Sequence, residues 1–428
     1  MIEIIKDKKD IDQFFETLKK RGSVNSGNFS DIVKDIVKNV ELNGDKALEE
    51  YTKKFDDPNF NIADIEIKKD ELKKAFDNLD EDTKKVLFKA KERIYSYHMH
   101  QKRESWMYTD NIGASLGMKI SAIEKVGVYV PGGKAAYPSS VLMNVLPAKV
   151  AGCKTINMVT PAPKGYINPL VLAAAYVCEV DHVYKIGGAQ AIAALAFGTN
   201  SVEKVDKIVG PGNIFVALAK REVYGLVGID SIAGPSEICI IADKTCHPRY
   251  VAADLLGQAE HDELASSVLF ITDMNKANEI KKELEKIYET AERKAILDKS
   301  LTNCSKIIVV NDIKEAIDYA NKVAPEHLEL ALDNPHDYID DIKNAGAIFL
   351  GHYSAEAYGD YMTGPNHVLP TVQTARFFSP LGVDDFIKKT SLQCLTKEAA
   401  LSLADDVDKF AKLEGLTMHA YSASVRKE

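Results

Sequence analysis

Two short runs of the sequence hold side chains whose types and spacing could do chemistry. In Gln258-Ala-Glu-His261 a spacing of three on a helical segment puts the amide and the imidazole on one face, where a divalent ion could bridge them. Asp360 in Gly-Asp-Tyr and His419 in Gly-Leu-Thr-Met-His would complete two imidazoles, one carboxylate and one amide oxygen. That nitrogen and oxygen set suits Zn²⁺ or a similar divalent ion. Spacing alone does not make the four converge: an isolated histidine is more often a hydrogen-bonded structural residue, and glutamine is an uncommon zinc ligand. The second run, Ala324-Pro-Glu326-His327-Leu-Glu329, sets a carboxylate beside an imidazole after a proline that ends the preceding helix. Imidazole moves protons near neutrality and a carboxylate can activate water. The dipeptide by itself fits an exposed, ion-paired glutamate next to a structural histidine. His98 and His100 alternate on a helix and face different ways.

Glycines mark a third kind of position. Pro131-Gly-Gly133, Gly187-Gly188-Ala-Gln190 and Gly210-Pro-Gly212-Asn213 each follow an apolar β-rich run, where helix N-termini offer N–H groups to phosphates. None completes G-x-G-x-x-G and no P-loop is present, so tight strand-to-helix turns explain them equally well. The stretch from Gly359 to Pro370 is polar and rich in turn formers, as functional loops and rigid connectors both are.

These residues need elements to position them. Val126–130, 155–160, 182–186 and 207–209 are short β-rich runs separated by Ala- and Leu-rich helical stretches, and a second series runs through 237–241, 267–271, 305–310 and 345–350. Such alternation predicts α/β architecture: two doubly wound, Rossmann-like parallel-sheet domains, with small helical N- and C-terminal segments. The boundaries expected are a helical arm over 1–24, stopped by Gly22; a main domain from 25–128 and 236–380 that carries the metal and catalytic candidates; a second α/β domain over 129–235; and a helical tail over 381–428. In that tail 383–413 reads as helix, with Leu401, Leu403, Val407 and Phe410 on an apolar stripe and Gly415 as terminator. No internal repeat or low-complexity segment interrupts the pattern.

Composition narrows the classes. The 428 residues exceed what one core usually supports, so two to four units are expected at about 100–200 residues each. Apolar residues at 46% and charged residues at 27% describe an ordinary globular protein. With 54 basic and 63 acidic side chains the net charge is −9, and no basic patch stands apart, which argues against nucleic acid. The first ten residues carry charges where a signal peptide needs an apolar run, and no stretch reaches the about 18 apolar residues of a membrane helix, so a cytoplasmic protein is expected. Six cysteines lie far apart without a C-x-x-C pair and read as buried, inert thiols.

Taken together, Gly127-Val-Tyr-Val-Pro-Gly-Gly133, Ile186-Gly-Gly-Ala-Gln-Ala-Ile-Ala-Ala194, Gly210-Pro-Gly-Asn213, Ala233-Gly-Pro-Ser-Glu237, Gln258-Ala-Glu-His261, Ala324-Pro-Glu-His-Leu328, Gly364-Pro-Asn-His-Val-Leu-Pro370 and Glu414-Gly-Leu-Thr-Met-His419 resemble histidinol dehydrogenases, in order and over nearly the whole chain. The resemblance implies an NAD-dependent four-electron oxidation of L-histidinol to L-histidine through L-histidinaldehyde. It implies one Zn²⁺ on Gln258, His261, Asp360 and His419, with Ser236, His327 and Glu414 helping those four to seat the substrate. His327 is then the base that takes the alcohol proton, Glu326 activates water to hydrate the aldehyde, and Tyr129, Gln190 and Asn213 contact NAD. A homodimer whose tails complete the partner's site is also implied. Thr363, where the family often has serine, and Val372-Gln-Thr, in place of a Gly-rich turn, depart from the pattern without touching a proposed ligand. The competing readings are a metal-dependent hydrolase with Glu326 activating a zinc-bound water, and a non-catalytic metal or nucleotide binding protein.

Overall fold

The computed structural model describes residues 2–21, 26–132 and 136–428; the expected helix stop Gly22, the arm boundary at residue 24, and Gly133 of the first glycine cluster lie outside them. Two six-stranded sheets organise the molecule. The first runs in the order Glu66–Ile67, His182–Tyr184, Thr155–Val159, Lys125–Tyr129, Lys207–Val209, Gly228–Ile229, parallel except at its short first edge. The second is wholly parallel: Glu3–Ile5, Lys306–Val309, Ser266–Ile271, Glu237–Ala242, His327–Ala331, Ala347–Leu350. Strands rich in Val and Ile suit sheets buried on both faces, and the intervening Ala-rich helix Gly188–Phe197 packs closely because its side chains are small. In each sheet the strand order reverses once. The switch lies between Lys125–Tyr129 and Lys207–Val209 in the first, and between Glu237–Ala242 and His327–Ala331 in the second. Crevices at such points are where open α/β sheets hold ligands.

The two parallel sheets agree with the doubly wound architecture expected, but three groupings differ. The helices Ser26–Asn43, Asp45–Phe55, Lys69–Asp77 and Glu81–Met99 do not join 236–380. Val33, Ile36 and Val40 pack with Tyr129 and Ile192, and Leu72, Leu87 and Ile94 with Val128 and Met158, so all cover the first sheet. An amphipathic stripe fixes that a helix is buried, not which sheet buries it. The N-terminal arm is no separate appendage: Glu3–Ile5 is an edge strand of the second sheet, and helix Lys8–Arg21 lays Ile11, Phe14 and Leu18 against Cys239, Ile241 and Phe270. In the tail, helix occupies Lys397–Leu413, whereas Ile387–Leu395 is a strand. It pairs antiparallel with Ala114–Ala122, which in turn pairs with Trp106–Thr109. Most side chains of Ile387–Leu395 are exposed, so the alternation that marks a half-buried strand is missing. On the expected apolar stripe, Val407 and Phe410 are exposed, at 44% and 67%. Five cysteines are buried, as expected, and Cys394 is exposed. Among the described residues no helix is long and apolar enough to cross a membrane.

Candidate active site

A cavity of about 1040 Å³ opens where the carboxyl edge of the first sheet meets the amino edge of the second. Asp230, just past the strand Gly228–Ile229, lines it from one side; His327, the first residue of its strand, and Phe349 line it from the other, with Asp360, Asn366 and His367 from the polar connection. His327 is thus set on a buried parallel strand, in register with Ile238. Leu328, Leu330 and Leu332 face one core, so His327, Glu329 and Ala331 face the helix Pro248–Ala259 on the other side. That period of two was present in the sequence, but the run was read only for its Glu-His pair after a proline that ends a helix.

Glu326 and His327 are both buried, which removes the reading of an exposed, ion-paired glutamate. Nδ1 of His327 lies 2.9 Å from the Glu237 carbonyl, and a carbonyl only accepts, so Nδ1 carries the proton. Nε2 is then the lone-pair nitrogen, and it has no partner among the described residues. Burial pushes the ring's pKa down to about 3, with the backbone contact to Glu237 opposing, so the imidazole is neutral. Glu326 Oε2 accepts from the Glu237 N–H at 2.9 Å. Its pKa is raised well above the ordinary carboxylate range, first by burial, with that hydrogen bond opposing and the charges of Glu237 and Asp360 adding to the rise. Glu237 itself meets Arg21 in a buried ion pair. Residues 237, 326 and 327 are therefore knit together by backbone groups of adjoining strands.

The predicted metal donors are only partly gathered. His261, Glu356 and Asp360 bring one ligand atom each within 4.8 Å of one another. Gln258 is fully buried, with its oxygen 3.1 Å from His261 Nδ1 and its nitrogen donating to Glu356 Oε1 and Oε2, each at 2.8 Å. His327 Nδ1 is 3.2 Å from the same nitrogen, but its proton is already committed to Glu237, which makes Glu356 the acceptor. Asp360 is pushed up to about 6 by burial, against the pull of His261, and Glu356 is raised well above normal by burial and then by Asp360 and Glu326. Glu356 escaped the sequence reading because the stretch from Gly359 was read as a polar loop, which hid the helix Glu356–Tyr361 that begins just before it. Its i,i+4 spacing from Asp360 on the helix Glu356–Tyr361 is the signal that could have found it.

The other candidates lie apart. Ser236 is half-buried directly before Glu237. Glu414 and His419 are exposed on the tail, where the helix Thr417–Ser424 packs beside Lys397–Leu413, and His419 is not in the donor group of this chain. Tyr129, Gln190 and Asn213 sit at the carboxyl edge of the first sheet. The Tyr129 hydroxyl accepts from the Gly188 N–H at 3.2 Å, and burial pushes it up to about 12. Gln190 is buried in the first turn of its helix, and Asn213 caps the helix Ile214–Val223 by accepting from Phe215 and Val216 N–H groups at 3.0 and 3.2 Å. At Gly210, with φ of 110°, any Cβ would collide with the Tyr129 carbonyl, so only glycine lets the chain turn there. His98 is buried and holds the Ile94 carbonyl through Nδ1 at 2.7 Å, a structural role.

A family model of histidinol dehydrogenase matches residues 19–427. The chain belongs to the histidinol dehydrogenase family. It is 52% identical to the histidinol dehydrogenase of Clostridium acetobutylicum, over 100% of this chain and 99% of that one, and 52% identical to that of Caldanaerobacter subterraneus over the same shares. The crystal structure of histidinol dehydrogenase from Elizabethkingia anophelis superposes with a TM-score of 0.94 at 37% identity, covering 99% of this chain and 98% of that one. Membership makes the chain an oxidoreductase of histidine biosynthesis, which sets aside the hydrolase and the non-catalytic binding protein.

Proposed function

We propose that the protein oxidises L-histidinol to L-histidine through L-histidinaldehyde, with NAD accepting hydride twice and one zinc ion seating the substrate. The buried Glu326–His327 pair, its free Nε2 on the cavity beside His261 and Asp360, carries this reading. The donors fit a zinc ion: they supply imidazole nitrogen, carboxylate and amide oxygen, and their carboxyls are crowded in low dielectric, a condition that a cation relieves. Gln258, His261 and Asp360 would hold it, and His419 and Glu414 would come from the tail of a second copy in a homodimer. When bound, the ion orients and polarises the amino alcohol.

The chain's own residues then divide the work. His327 is held in one tautomer by Glu237, so Nε2 can take the alcohol proton as hydride leaves. Burial keeps that nitrogen unprotonated beforehand, and the Glu326 and Glu356 carboxyls at 3.8 and 3.7 Å favour the imidazolium once they are ionised. Glu326, once ionised, is a stronger base than an ordinary carboxylate because burial raised its pKa, and it activates the water that hydrates the aldehyde. Ser236 helps to seat the substrate. Tyr129, Gln190 and Asn213 seat NAD at the switch point of the first sheet, where Gly188 and Gly210 let the backbone approach. A walled cavity keeps the reactive aldehyde between the two oxidations.

The test is the NADH absorbance that develops when zinc-loaded protein receives L-histidinol and NAD, counted per histidinol consumed. Two per substrate, abolished by a chelator, supports the reading. One per substrate removes the role of Glu326, and none overturns the reaction.

A further inference from the structure

Behind the acid–base pair lies a second pair of carboxyls, Asp254 and Glu329. Glu329 is two residues beyond His327 and points from the same face of the strand, onto the helix Pro248–Ala259. Asp254 stands on that helix one turn before Gln258. The two side chains line one small pocket between the helix and the strand, and Glu329 Oε1 accepts from the Glu356 N–H at 2.8 Å. Glu356 opens the short helix that carries Asp360. One carboxyl pair therefore touches the three elements that bring Gln258 and His261, His327, and Glu356 and Asp360 to the cavity.

Two carboxyls on one small pocket, one buried and one half-buried, disfavour each other's charge. Burial pushes Asp254 up to about 6, and raises Glu329 well above the ordinary range with the charge of Asp254 adding to it. Fold alone gives no reason for such a pair. Apart from His327 and from Ser267, whose hydroxyl donates to the Leu255 carbonyl at 2.7 Å, this sheet face is apolar, with Ile238, Ile240 and Ala242, and replacing a buried ionisable pair by hydrophobes is often neutral or stabilising. What the pair adds is direction: a helix, a strand and a second helix are tied through specific atoms. Outer partners of this kind typically alter metal affinity by about 10–100-fold when removed.

We infer that Asp254 and Glu329 are positioning residues that hold the three donor-bearing elements at the spacing a bound cation needs. The inference rests on the metal assignment proposed above. Full-length protein carrying Glu329→Leu, Glu329→Gln, Asp254→Ala or Asp254→Asn is stripped of metal, and its zinc affinity is measured by competition with a chromophoric chelator, alongside kcat, KM and the melting temperature. Glu329→Leu and Asp254→Ala should weaken zinc binding about 10-fold or more and lower kcat more than they raise KM. Glu329→Gln keeps an acceptor for the Glu356 N–H, and Asp254→Asn keeps a partner for Glu329; both should stay within about threefold of the parent. Should Glu329→Leu not fold, Asp254→Ala, at a half-buried position, carries the test. His261→Asn is the control. Unchanged affinity in Asp254→Ala and in any folded Glu329→Leu, with affinity lost in His261→Asn, overturns the inference and leaves the ligand assignment standing. Amide variants as weak as the truncated ones overturn it too. Unchanged affinity in His261→Asn removes the assignment, and the inference with it.

Discussion

Replacing Arg21 by methionine should destabilise the protein by an amount that grows with pH. Arg21 closes the helix Lys8–Arg21 and meets Glu237 with both side chains almost fully buried; its Nε and Nη1 have no other partner among the described residues. Breaking a buried pair from one side typically costs about 3–5 kcal/mol, because the remaining charge is uncompensated. Glu237 can avoid part of that cost by taking a proton, at about 1.4 kcal/mol for each unit by which pH exceeds its unfolded pKa, until pH passes the folded one. In the parent, burial raises that pKa above 4.5 and Arg21 pulls it back; without Arg21 it lies higher still. A carboxyl with a raised folded pKa holds more protons folded than unfolded, so stability is greatest at and below the unfolded pKa and falls as pH climbs through the folded one. The loss should therefore be small near about pH 5 and close to its full size near about pH 8. Urea unfolding followed by circular dichroism at both pH values measures it, and Arg21→Met combined with Glu237→Gln should recover most of it. Equal losses at the two pH values, or a double variant as unstable as the single one, would refute the reasoning.

His327→Ala should lower kcat by about 10²–10⁴ while zinc content, read by atomic absorption, stays at the parent level; turnover within a few-fold of the parent sinks the assigned base. Glu326→Gln should bring NADH formed per histidinol from two toward one, with aldehyde trapped by semicarbazide; an unchanged ratio rules out the hydrating role. Lys220→Met strands Asp230, which is buried with Lys220 and also accepts from the Gly210 N–H at 2.8 Å. Stability should fall by about 3–5 kcal/mol and the KM for NAD should rise as the Gly210 turn loosens; a normal melting curve with an unchanged KM contradicts this. If His419 acts in trans, mixing His419→Ala with His327→Ala subunits under exchange should restore about a quarter of parental activity, since half the dimers are mixed and each has one intact site. No recovery in verified mixed dimers places the tail in its own subunit's site.

Much of the frame was legible because buried parallel strands are written as short runs of Val and Ile between Gly-rich turns. The strands at 155–159, 207–209, 237–242 and 266–271 fall where that pattern puts them. What escaped was information that sequence carries only through partners. Ile387–Leu395 is a strand because Ala114–Ala122 offers it a ladder, and the helices of 26–99 cover the first sheet because their apolar stripes match it. The candidate site divides in the same way. Gln258 and His261 were expected on one helical segment; the helix ends at Ala259, so His261 lies just past it, but the three-residue spacing still brings the two into contact. Glu356 has no sequence neighbour among the other candidates except Asp360, inside a stretch taken as a loop. The burial of Glu326 and His327 follows from a neighbouring strand at 237–242, ninety residues away in the chain, which no dipeptide reveals.

The same burial gives the two halves of the proposed reaction their acid–base groups. Desolvation favours the neutral form of every ionisable side chain, so it lowers the pKa of His327 and raises that of Glu326 in adjacent positions of one chain segment. An exposed pair would hold the carboxylate ionised and leave the imidazole partly protonated near neutral pH, so that a share of the protein would lack a base for the alcohol. Buried, the imidazole keeps an empty Nε2, and the carboxyl keeps a basicity that exposure would remove. Glu237 fixes both from the two sides of a single residue, its N–H on Glu326 and its carbonyl on His327. Because that residue belongs to a central strand of the second sheet, the acid–base pair cannot shift without the sheet. The Arg21–Glu237 ion pair then ties the N-terminal helix to the same residue, so loosening that helix should disturb the chemistry before it unfolds the domain.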